Sequence, residues 1–212
     1  MNMKRHLSFF AALSAAALLF FGCEGGGDSG GSSGDTGDNN ADLVICLGDS
    51  ITLGTACDGA PYPSHLAGMT GKSVLNYGSG GETAQGGAGR ISGALAKKPG
   101  YICILYGAND AIAGRDPGVT KENLRSMIAA CKANHTIPIV GTTPPMTGEH
   151  SNFDGNARAI NDAIRAVAGE EGVTCVDLYG AFGNGESYLV SDGLHPNAAG
   201  AELIAKCFAG AI

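Results

Sequence analysis

The sequence predicts one α/β domain in which a parallel sheet is covered by helices on both faces. Short apolar runs alternate along the chain with amphipathic helical segments. Several of these runs are almost continuously apolar, as expected for strands that are buried on both faces. The chain has 212 residues, of which 44% are hydrophobic and 16% charged. Those proportions are typical of a globular protein with a single core.

The N-terminal segment is expected to lie outside this domain. Two basic residues precede an apolar run over residues 7–21, which ends at Gly22 and Cys23. A basic start, a short apolar run and a small residue before the cleavage site are typical of a secretory signal, and the run is too short for a membrane-spanning helix. We therefore predict a signal peptide over residues 1–22.

The end of the apolar run resembles the lipobox of bacterial lipoproteins, in which the cysteine after the cleavage site carries the lipids. Cys23 has that position, although Phe20 stands where the pattern usually has Leu, and a plain signal peptide is the alternative. Residues 24–41 are mostly Gly, Ser, Asp, Thr and Asn, which predicts a flexible tether. The resemblance implies an exported protein whose segment 23–41 anchors a domain, residues 42–212, at the periplasmic face or the surface of the bacterial envelope.

Five strands are predicted within this domain, and helical patterns separate them. The predicted strands cover residues 43–47, 73–77, 101–106, 137–140 and 173–178. The helical patterns are a glycine-diluted segment over 83–98, a face over 124–131 with Thr120 as its cap, a face over 157–167, and a last helix over 203–208 that is opened by Pro196.

Charge and cysteine spacing argue against several functions. The formal net charge is −7 and there is no basic run, so a nucleic-acid partner is not expected. No pair of cysteines has C-x-x-C spacing, so a metal site is not expected. An exported chain could form up to three disulfides if Cys23 is lipidated. Cys46 and Cys103 lie inside apolar runs, however, and are expected to be buried thiols.

Polar residues and glycines follow the predicted strands. Ligands bind at the carboxyl ends of parallel strands, so these segments are candidates for a site. They are Gly48-Asp49-Ser50 after the first strand, residues 76–83 after the second, residues 107–110 after the third, and Asp192 with His195 before the last helix.

These residues have the chemistry that acyl transfer requires. Ser50 would lie where a strand turns into a helix, with its hydroxyl exposed as a nucleophile. His195 can accept the serine proton, and Asp192, three residues earlier, can orient the imidazole. The backbone N–H groups of Ser50 and Gly81 and the amide of Asn109 are candidate donors to an oxyanion.

Structural alternatives exist for each of these residues. Ser50 could cap a helix, and Asn109 and Asp110 could shape a turn. Gly81 could serve turn geometry alone. Because the candidates occur together, catalysis is favoured for Ser50, Gly81 and Asn109, whereas Asp110 is expected to be structural. His150 follows the fourth strand and is a weaker candidate for lining the pocket.

Taken together, the four blocks resemble those of the GDSL-type, or SGNH, serine esterases, in the same order from residue 48 to residue 195. Ile51 replaces the usual Leu, and Glu82 stands where the family often has Asp. The blocks are Gly48-Asp49-Ser50-Ile51, Asn76-x-Gly78-x-x-Gly81-x-Thr83, Gly107-x-Asn109-Asp110 and Asp192-x-x-His195.

The resemblance implies a flavodoxin-like three-layer sandwich with a five-stranded parallel sheet. It also implies a carboxylic-ester hydrolase without a cofactor, in which Ser50, Asp192 and His195 form a triad and Ser50, Gly81 and Asn109 form the oxyanion hole. We expect a monomer that acts on small-molecule or glycan esters, with short acyl groups favoured by the small residues of the second block. The alternatives are a catalytically silent carbohydrate-binding or adhesion module, and a lysophospholipase or thioesterase.

Overall fold

The computed structural model describes residues 20–21 and 35–212. Its strands are β1 (Phe20–Phe21), β2 (Asn40–Gly48), β3 (Ser73–Gly78), β4 (Pro99–Leu105), β5 (Ile137–Gly141) and β6 (Thr174–Val176). Its α-helices are α1 (Ser50–Leu53), α2 (Tyr62–Thr70), α3 (Ala84–Leu95), α4 (Ala108–Ile112), α5 (Pro117–Ala133), α6 (Asp154–Glu171), α7 (Leu178–Phe182) and α8 (Ala198–Ala209). A 3₁₀ helix covers Gly148–Phe153.

Most of the predicted N-terminal organisation lies outside the described residues. This holds for the proposed lipidation site, Cys23, and for the signal peptide over 1–22 apart from the two residues of β1. The end of the predicted tether is described and is bound to the domain. The Asn39 amide donates to the Asn134 carbonyl oxygen at 2.7 Å, and β2 begins at Asn40. Residues 39–41 of the predicted tether are therefore part of the packed structure.

The predicted five-stranded parallel sheet is confirmed, with the order β6-β5-β4-β2-β3, and β1 adds a short parallel strand beside β6. The chain runs from β2 outward to β3 and then returns to the other side of β2 to form β4. The connections that leave β2 and β4 therefore diverge to opposite sides. Such a switch point opens a crevice at the carboxyl ends of the two strands, where ligands of α/β proteins bind.

The centre of the sheet is buried because its strands are apolar on both faces. Residues Val44–Leu47 of β2 and Ile102–Ile104 of β4 have no exposed surface. Cys46 and Cys103 are neighbours across these two strands and are free, buried thiols, as predicted. Burial raises the pKa of the Cys103 thiol well above its ordinary value. Both side chains therefore act as small apolar residues of the core.

Helices cover both faces of the sheet. Helix α5 lies beside α3 and α6, and α8 lies beside α2 and α7. The predicted cap of α5 was wrong: Asp116 is the N-cap and accepts from the Gly118 N–H, whereas Thr120 is buried inside the helix and donates to Asp110. A proline at the first helical position already sets the start of α5, so Thr120 is not needed there.

Several element ends differ from the prediction by one to three residues, and two of the differences have a clear physical cause. The last strand ends at Val176 instead of 178, because the Asp177 carboxylate caps α7 by accepting from the Gly180 N–H. Helix α8 begins at Ala198, with Asn197 as its cap, so Pro196 precedes the helix and does not open it. Within the described part of the chain, no helix is both long enough and apolar enough to cross a membrane.

Candidate active site

Ser50 lies at the sharp turn between β2 and α1, directly at the switch point. It is the first residue of α1, and the Asp49 carboxylate caps this helix by accepting from the Ile51 N–H at 2.9 Å. The turn requires glycine at position 48, because a Cβ there would lie 2.0 Å from Thr52 Oγ1 and 2.6 Å from the Leu105 carbonyl oxygen. The tight turn leaves the Ser50 backbone N–H in the first turn of the helix, where no intrahelical acceptor exists.

Ser50, His195 and Asp192 form a continuous series of hydrogen bonds. The Ser50 Oγ is 3.0 Å from His195 Nε2, and His195 Nδ1 is 2.6 Å from Asp192 Oδ2. The other Asp192 oxygen accepts from the backbone N–H groups of Leu194 and His195, at 2.8 and 3.0 Å. Partial burial alone would raise the pKa of Asp192, but the hydrogen bonds from His195 and from these N–H groups lower it overall. The carboxylate is therefore ionised beside the imidazole at neutral pH.

The loop that carries Asp192 and His195 is held by backbone contacts. The Val190 N–H donates to the His195 carbonyl at 2.9 Å, and the Thr147 N–H donates to the Gly193 carbonyl at 2.8 Å. Gly193 has a φ of +72°, and a Cβ there would lie 2.0 Å from the Thr147 carbonyl oxygen. Only glycine fits so close to another backbone in this conformation. The segment after β5 thus fixes the position of the loop.

The other candidate donors flank Ser50. Asn109 is in the first turn of α4, and its Nδ2 donates to Asp49 Oδ2 at 3.2 Å and to the Glu82 carbonyl oxygen at 3.0 Å. Gly81 lies in the exposed turn between β3 and α3, with a φ of +74° and no atom within 4 Å of a Cβ position. Its left-handed backbone, and not a lack of space, therefore favours glycine here. The four sequence blocks converge on the carboxyl edge of the sheet.

Comparison with known proteins identifies the family. The sequence model of the GDSL-like Lipase/Acylhydrolase family matches residues 46–203, which include all four blocks. The chain belongs to this family. The predicted resemblance to the GDSL-type esterases is thereby confirmed.

Individual relatives of this GDSL-like chain have diverged considerably. It is 28% identical to an acetylxylan esterase of Xylanibacter ruminicola, over 80% of this chain but only 42% of the relative. It is 28% identical to YqeF, an uncharacterized lipoprotein of Bacillus subtilis, over 85% of this chain and 81% of that one. The chain spans about half the length of the first curated relatives that it matches.

The fold has close counterparts among solved structures. A lipase/acylhydrolase from Enterococcus faecalis superposes with a TM-score of 0.68 and 26% sequence identity, over 79% of this chain and 93% of that one. The likeness extends over nearly the whole of the described domain. The three-layer architecture predicted from the resemblance is therefore that of the family.

A buried carboxyl lies beneath the site of this GDSL-like protein. Burial raises the pKa of Asp49 from 3.8 to about 7, and the charge of Asp110 adds to the effect. The hydrogen bonds from Ile51 and Asn109 act in the opposite direction but are weaker. Asp110 is structural, as predicted, because its carboxylate accepts from the Ala84 N–H and the Thr120 hydroxyl.

Sequence reasoning anticipated one feature of the site only weakly and missed another. His150 was a weak candidate for the pocket, and the structure places its Nδ1 2.8 Å from the Asp192 carbonyl oxygen. Glu82, Arg90 and Tyr106 form a hydrogen-bonded cluster behind the turn that carries Gly81. The only signal for this cluster was the acidic residue at 82. Among residues 20–21 and 35–212, no three His, Cys, Asp or Glu side chains lie close enough to hold a metal ion.

Proposed function

We propose that this protein is a serine-dependent carboxylic-ester hydrolase that forms an acyl-enzyme on Ser50. The observation that carries the proposal is the series of hydrogen bonds from Ser50 Oγ through His195 to the ionised Asp192. A nucleophile, a base and an orienting group within hydrogen-bond distance are the machinery of acyl transfer. Membership of an acylhydrolase family supports the same reaction class.

In this proposal His195 moves the proton in both halves of the reaction. Its Nε2 accepts the proton of the Ser50 hydroxyl while Oγ bonds to the ester carbonyl carbon. The resulting imidazolium is stabilised by Asp192 and returns the proton to the departing alcohol as the carbon–oxygen bond breaks. A water molecule then attacks the acyl-enzyme by the same route, which releases the carboxylic acid and restores Ser50.

The negative charge on the carbonyl oxygen requires donors. We assign this role to the backbone N–H groups of Ser50 and Gly81 and to Asn109 Nδ2. The described structure gives the Gly81 N–H no backbone acceptor. Asn109 Nδ2 already donates to Asp49 and to the Glu82 carbonyl, so it would share or redirect one of its two N–H bonds toward the oxyanion. Such donors commonly contribute several kcal/mol to the transition state.

The primary test is hydrolysis of 4-nitrophenyl acetate by the purified protein and by Ser50→Ala. We expect the rate with the variant to fall close to the uncatalysed rate. Ser92→Ala is the matched control, because Ser92 is an exposed serine on α3.

A fluorophosphonate probe should label the wild type at Ser50, as mapped by mass spectrometry of the peptides. If Ser50→Ala keeps most of the rate, the assignment of the nucleophile is wrong. A wild type that neither hydrolyses esters nor reacts with the probe would support the silent binding module instead.

We further propose that the acyl group is short, with acetyl esters of glycans as the substrate class. The similarity to an acetylxylan esterase supports this choice. The turn that would face the acyl group, Ser79-Gly80-Gly81, also carries only small side chains. The test is a series of 4-nitrophenyl esters from two to sixteen carbons, with acetylated xylo-oligosaccharides, an acyl thioester and a lysophospholipid assayed in parallel. We expect kcat/KM to fall with chain length; a maximum at long chains or with the thioester would support the lysophospholipase or thioesterase alternative.

Attachment to the bacterial envelope through a lipid on Cys23 is a separate proposal. The similarity to a lipoprotein over most of both chains supports it. We expect incorporation of a fatty-acid probe in cells that produce the full chain, and its loss in Cys23→Ser. Cys57→Ser is the control, because Cys57 is a partly exposed free thiol of the domain. Labelling that persists in Cys23→Ser would contradict the anchor.

A further inference from the structure

A charged cluster lies directly behind the candidate oxyanion hole. Arg90, on α3, points its guanidinium group toward the ends of the central strands. Arg90 Nε donates to the two carboxylate oxygens of Glu82 at 2.9 and 2.7 Å, and Arg90 Nη2 lies 2.8 Å from the Tyr106 hydroxyl. That hydroxyl in turn donates to Glu82 Oε2 at 2.5 Å. We refer to Glu82, Arg90 and Tyr106 as the brace.

The brace also binds backbone at the ends of two strands. Arg90 Nη2 lies 3.0 Å from the Gly48 carbonyl oxygen, at the end of β2, and 2.6 Å from the Tyr77 carbonyl oxygen, near the end of β3. Tyr106 directly follows β4. A single guanidinium group therefore connects the ends of three adjacent strands. Arginine suits this role because its planar group presents several donors in fixed directions.

Each candidate oxyanion donor either lies within two residues of a residue that belongs to the brace or contacts it, or donates to such a residue. Ser50 comes two residues after Gly48, and Gly81 is directly followed by Glu82. Asn109 donates to the backbone carbonyl of Glu82 at 3.0 Å. The position of Glu82 thus determines where the Gly81 N–H lies. It also determines the position of the carbonyl oxygen that orients the Asn109 amide.

The brace is largely shielded from water. The side chains of Glu82 and Arg90 are 15% and 30% exposed, and Tyr106 is 1% exposed. Burial raises the pKa of the Tyr106 hydroxyl far above its ordinary value, and the hydrogen bond to Glu82 raises it further. The hydroxyl therefore stays protonated and donates to the carboxylate. Because the pair is largely shielded, loss of one partner would leave an uncompensated charge.

Two glycines of α3 leave space for the side chains of the brace. A Cβ at Gly86 would lie 2.5 Å from Glu82 Cγ, and a Cβ at Gly87 would lie 2.4 Å from Tyr106 Cε2. These glycines lower the helix propensity of α3, which made the segment a weak helix in the sequence. Their positions have a steric reason, because a larger residue at either would displace a member of the brace.

We infer that the brace is a positioning device for the oxyanion hole, and that Glu82, Arg90 and Tyr106 determine kcat without touching the substrate. This inference rests on the proposed roles of Ser50, Gly81 and Asn109. Glu82 is the residue that joins the Gly81 turn to the Asn109 amide, so its side chain should control both donors. A misplacement of donors by about 1 Å can lower the rate by about a hundredfold.

The test uses Glu82→Gln, which keeps the size of the side chain and removes its charge. With kcat expressed per site labelled by fluorophosphonate at completion, we expect a fall of about 10- to 100-fold, with KM changed by less than about twofold. Glu82→Asp keeps the carboxylate and should retain more of kcat than Glu82→Gln. Glu170→Gln, which removes surface ion pairs with Lys121 and Arg125, is the matched control and should leave kcat unchanged.

A double-mutant cycle separates positioning from a purely structural role. In the Asn109→Ala background, Glu82→Gln should cost at least about threefold less than it does in the wild type, because one donor it positions is already absent. Unchanged kcat per labelled site, or equal losses in both backgrounds, would overturn the inference while leaving the role of Ser50 intact. Failure of the proposed function is distinguishable from failure of the positioning role, since Ser50→Ala would then retain the wild-type rate. In that case the inference about the brace would be wrong as well.

Discussion

Asp49 Oδ2 accepts a hydrogen bond from Asn109 Nδ2 at 3.2 Å, so a buried carboxyl occupies one N–H of a candidate oxyanion donor. Both residues follow central strands, Asp49 after β2 and Asn109 after β4, and they meet across the switch point. The contact ties the turn that carries Ser50 to the turn that carries Asn109. The protonation state of the buried Asp49 carboxyl therefore bears directly on the Asn109 amide of the site.

The raised pKa of Asp49 predicts a specific pH dependence of stability. Folded protein holds a proton on Asp49 up to about pH 7, whereas the unfolded chain loses it near pH 4. The contribution of Asp49 to the free energy of unfolding is therefore fully present below about pH 4 and is lost as the pH rises to about 7. The loss is at most about 4 kcal/mol. The measurement is the free energy of unfolding in urea between pH 4 and 8.

Two variants isolate the contribution of Asp49. Asp49→Asn should remove this pH-dependent loss, so the difference in stability between variant and wild type should change over that range. Asp42→Asn is the control, because the Asp42 side chain is 84% exposed. Parallel curves for the wild type and Asp49→Asn would show that Asp49 does not titrate as described.

Asp192→Asn tests the orientation of the base. The amide can still accept from the N–H groups of Leu194 and His195, but its NH₂ group would then face His195 Nδ1. The imidazole would carry its proton on Nε2, toward Ser50, and could not accept the serine proton. We expect kcat to fall by about 10⁴-fold with little change in KM. The check is steady-state kinetics alongside circular dichroism; a loss below about tenfold would argue against this role.

His150→Ala tests whether His150 supports the loop that carries Asp192 and His195. The imidazole Nδ1 lies 2.8 Å from the Asp192 carbonyl oxygen, and the ring packs against Phe153. Its loss should free the loop, so we expect faster amide hydrogen exchange over residues 190–195. A fall in kcat of about 2- to 10-fold should accompany this, since the chemistry itself is intact. His135→Ala serves as a control. Faster exchange with unchanged kcat would show that the loop tolerates the motion.

Two glycines of α3 should respond in opposite directions to replacement by alanine. A Cβ at Gly87 would lie 2.4 Å from the Tyr106 ring, whereas a Cβ at Gly89 meets nothing within 4 Å. We expect Gly89→Ala to stabilise the fold by about 0.5–1 kcal/mol through helix propensity. Gly87→Ala should destabilise it by about 1–3 kcal/mol through overpacking. Chemical denaturation of both variants measures the contrast; stabilisation by Gly87→Ala would contradict the close packing.

The fold was predictable because its signals are local. Strands β2 and β4 are nearly continuous apolar runs, and the residues that follow them carry the polar groups of the site. The end of the last strand was placed too late, because Val173–Leu178 is mostly apolar, whereas the carboxylate of Asp177 caps a helix in the structure. Whether a side chain caps a following helix or continues a strand depends on the conformation of the backbone after it. The apolar periodicity of the sequence carries no information about that conformation.

The candidate site was predictable for a different reason. Ser50, Gly81, Asn109, Asp192 and His195 lie in short blocks whose order could be compared with a family. Arg90 lies in none of them. Its function depends on contacts with Gly48, Tyr77 and Tyr106, and those contacts exist only once three strands are aligned. A lone arginine on a glycine-rich helix gives no local sign of such partners.

The distance along the chain between Ser50 and His195 has a consequence for the timing of activity. The two residues are 145 positions apart and meet only when the loop after α7 packs against the segment that follows β5. A growing chain that has already formed β2 and α1 therefore holds an unactivated hydroxyl. A chain that ends before this loop would lack both the imidazole and the carboxylate beside Ser50, so truncated chains should be inert toward esters.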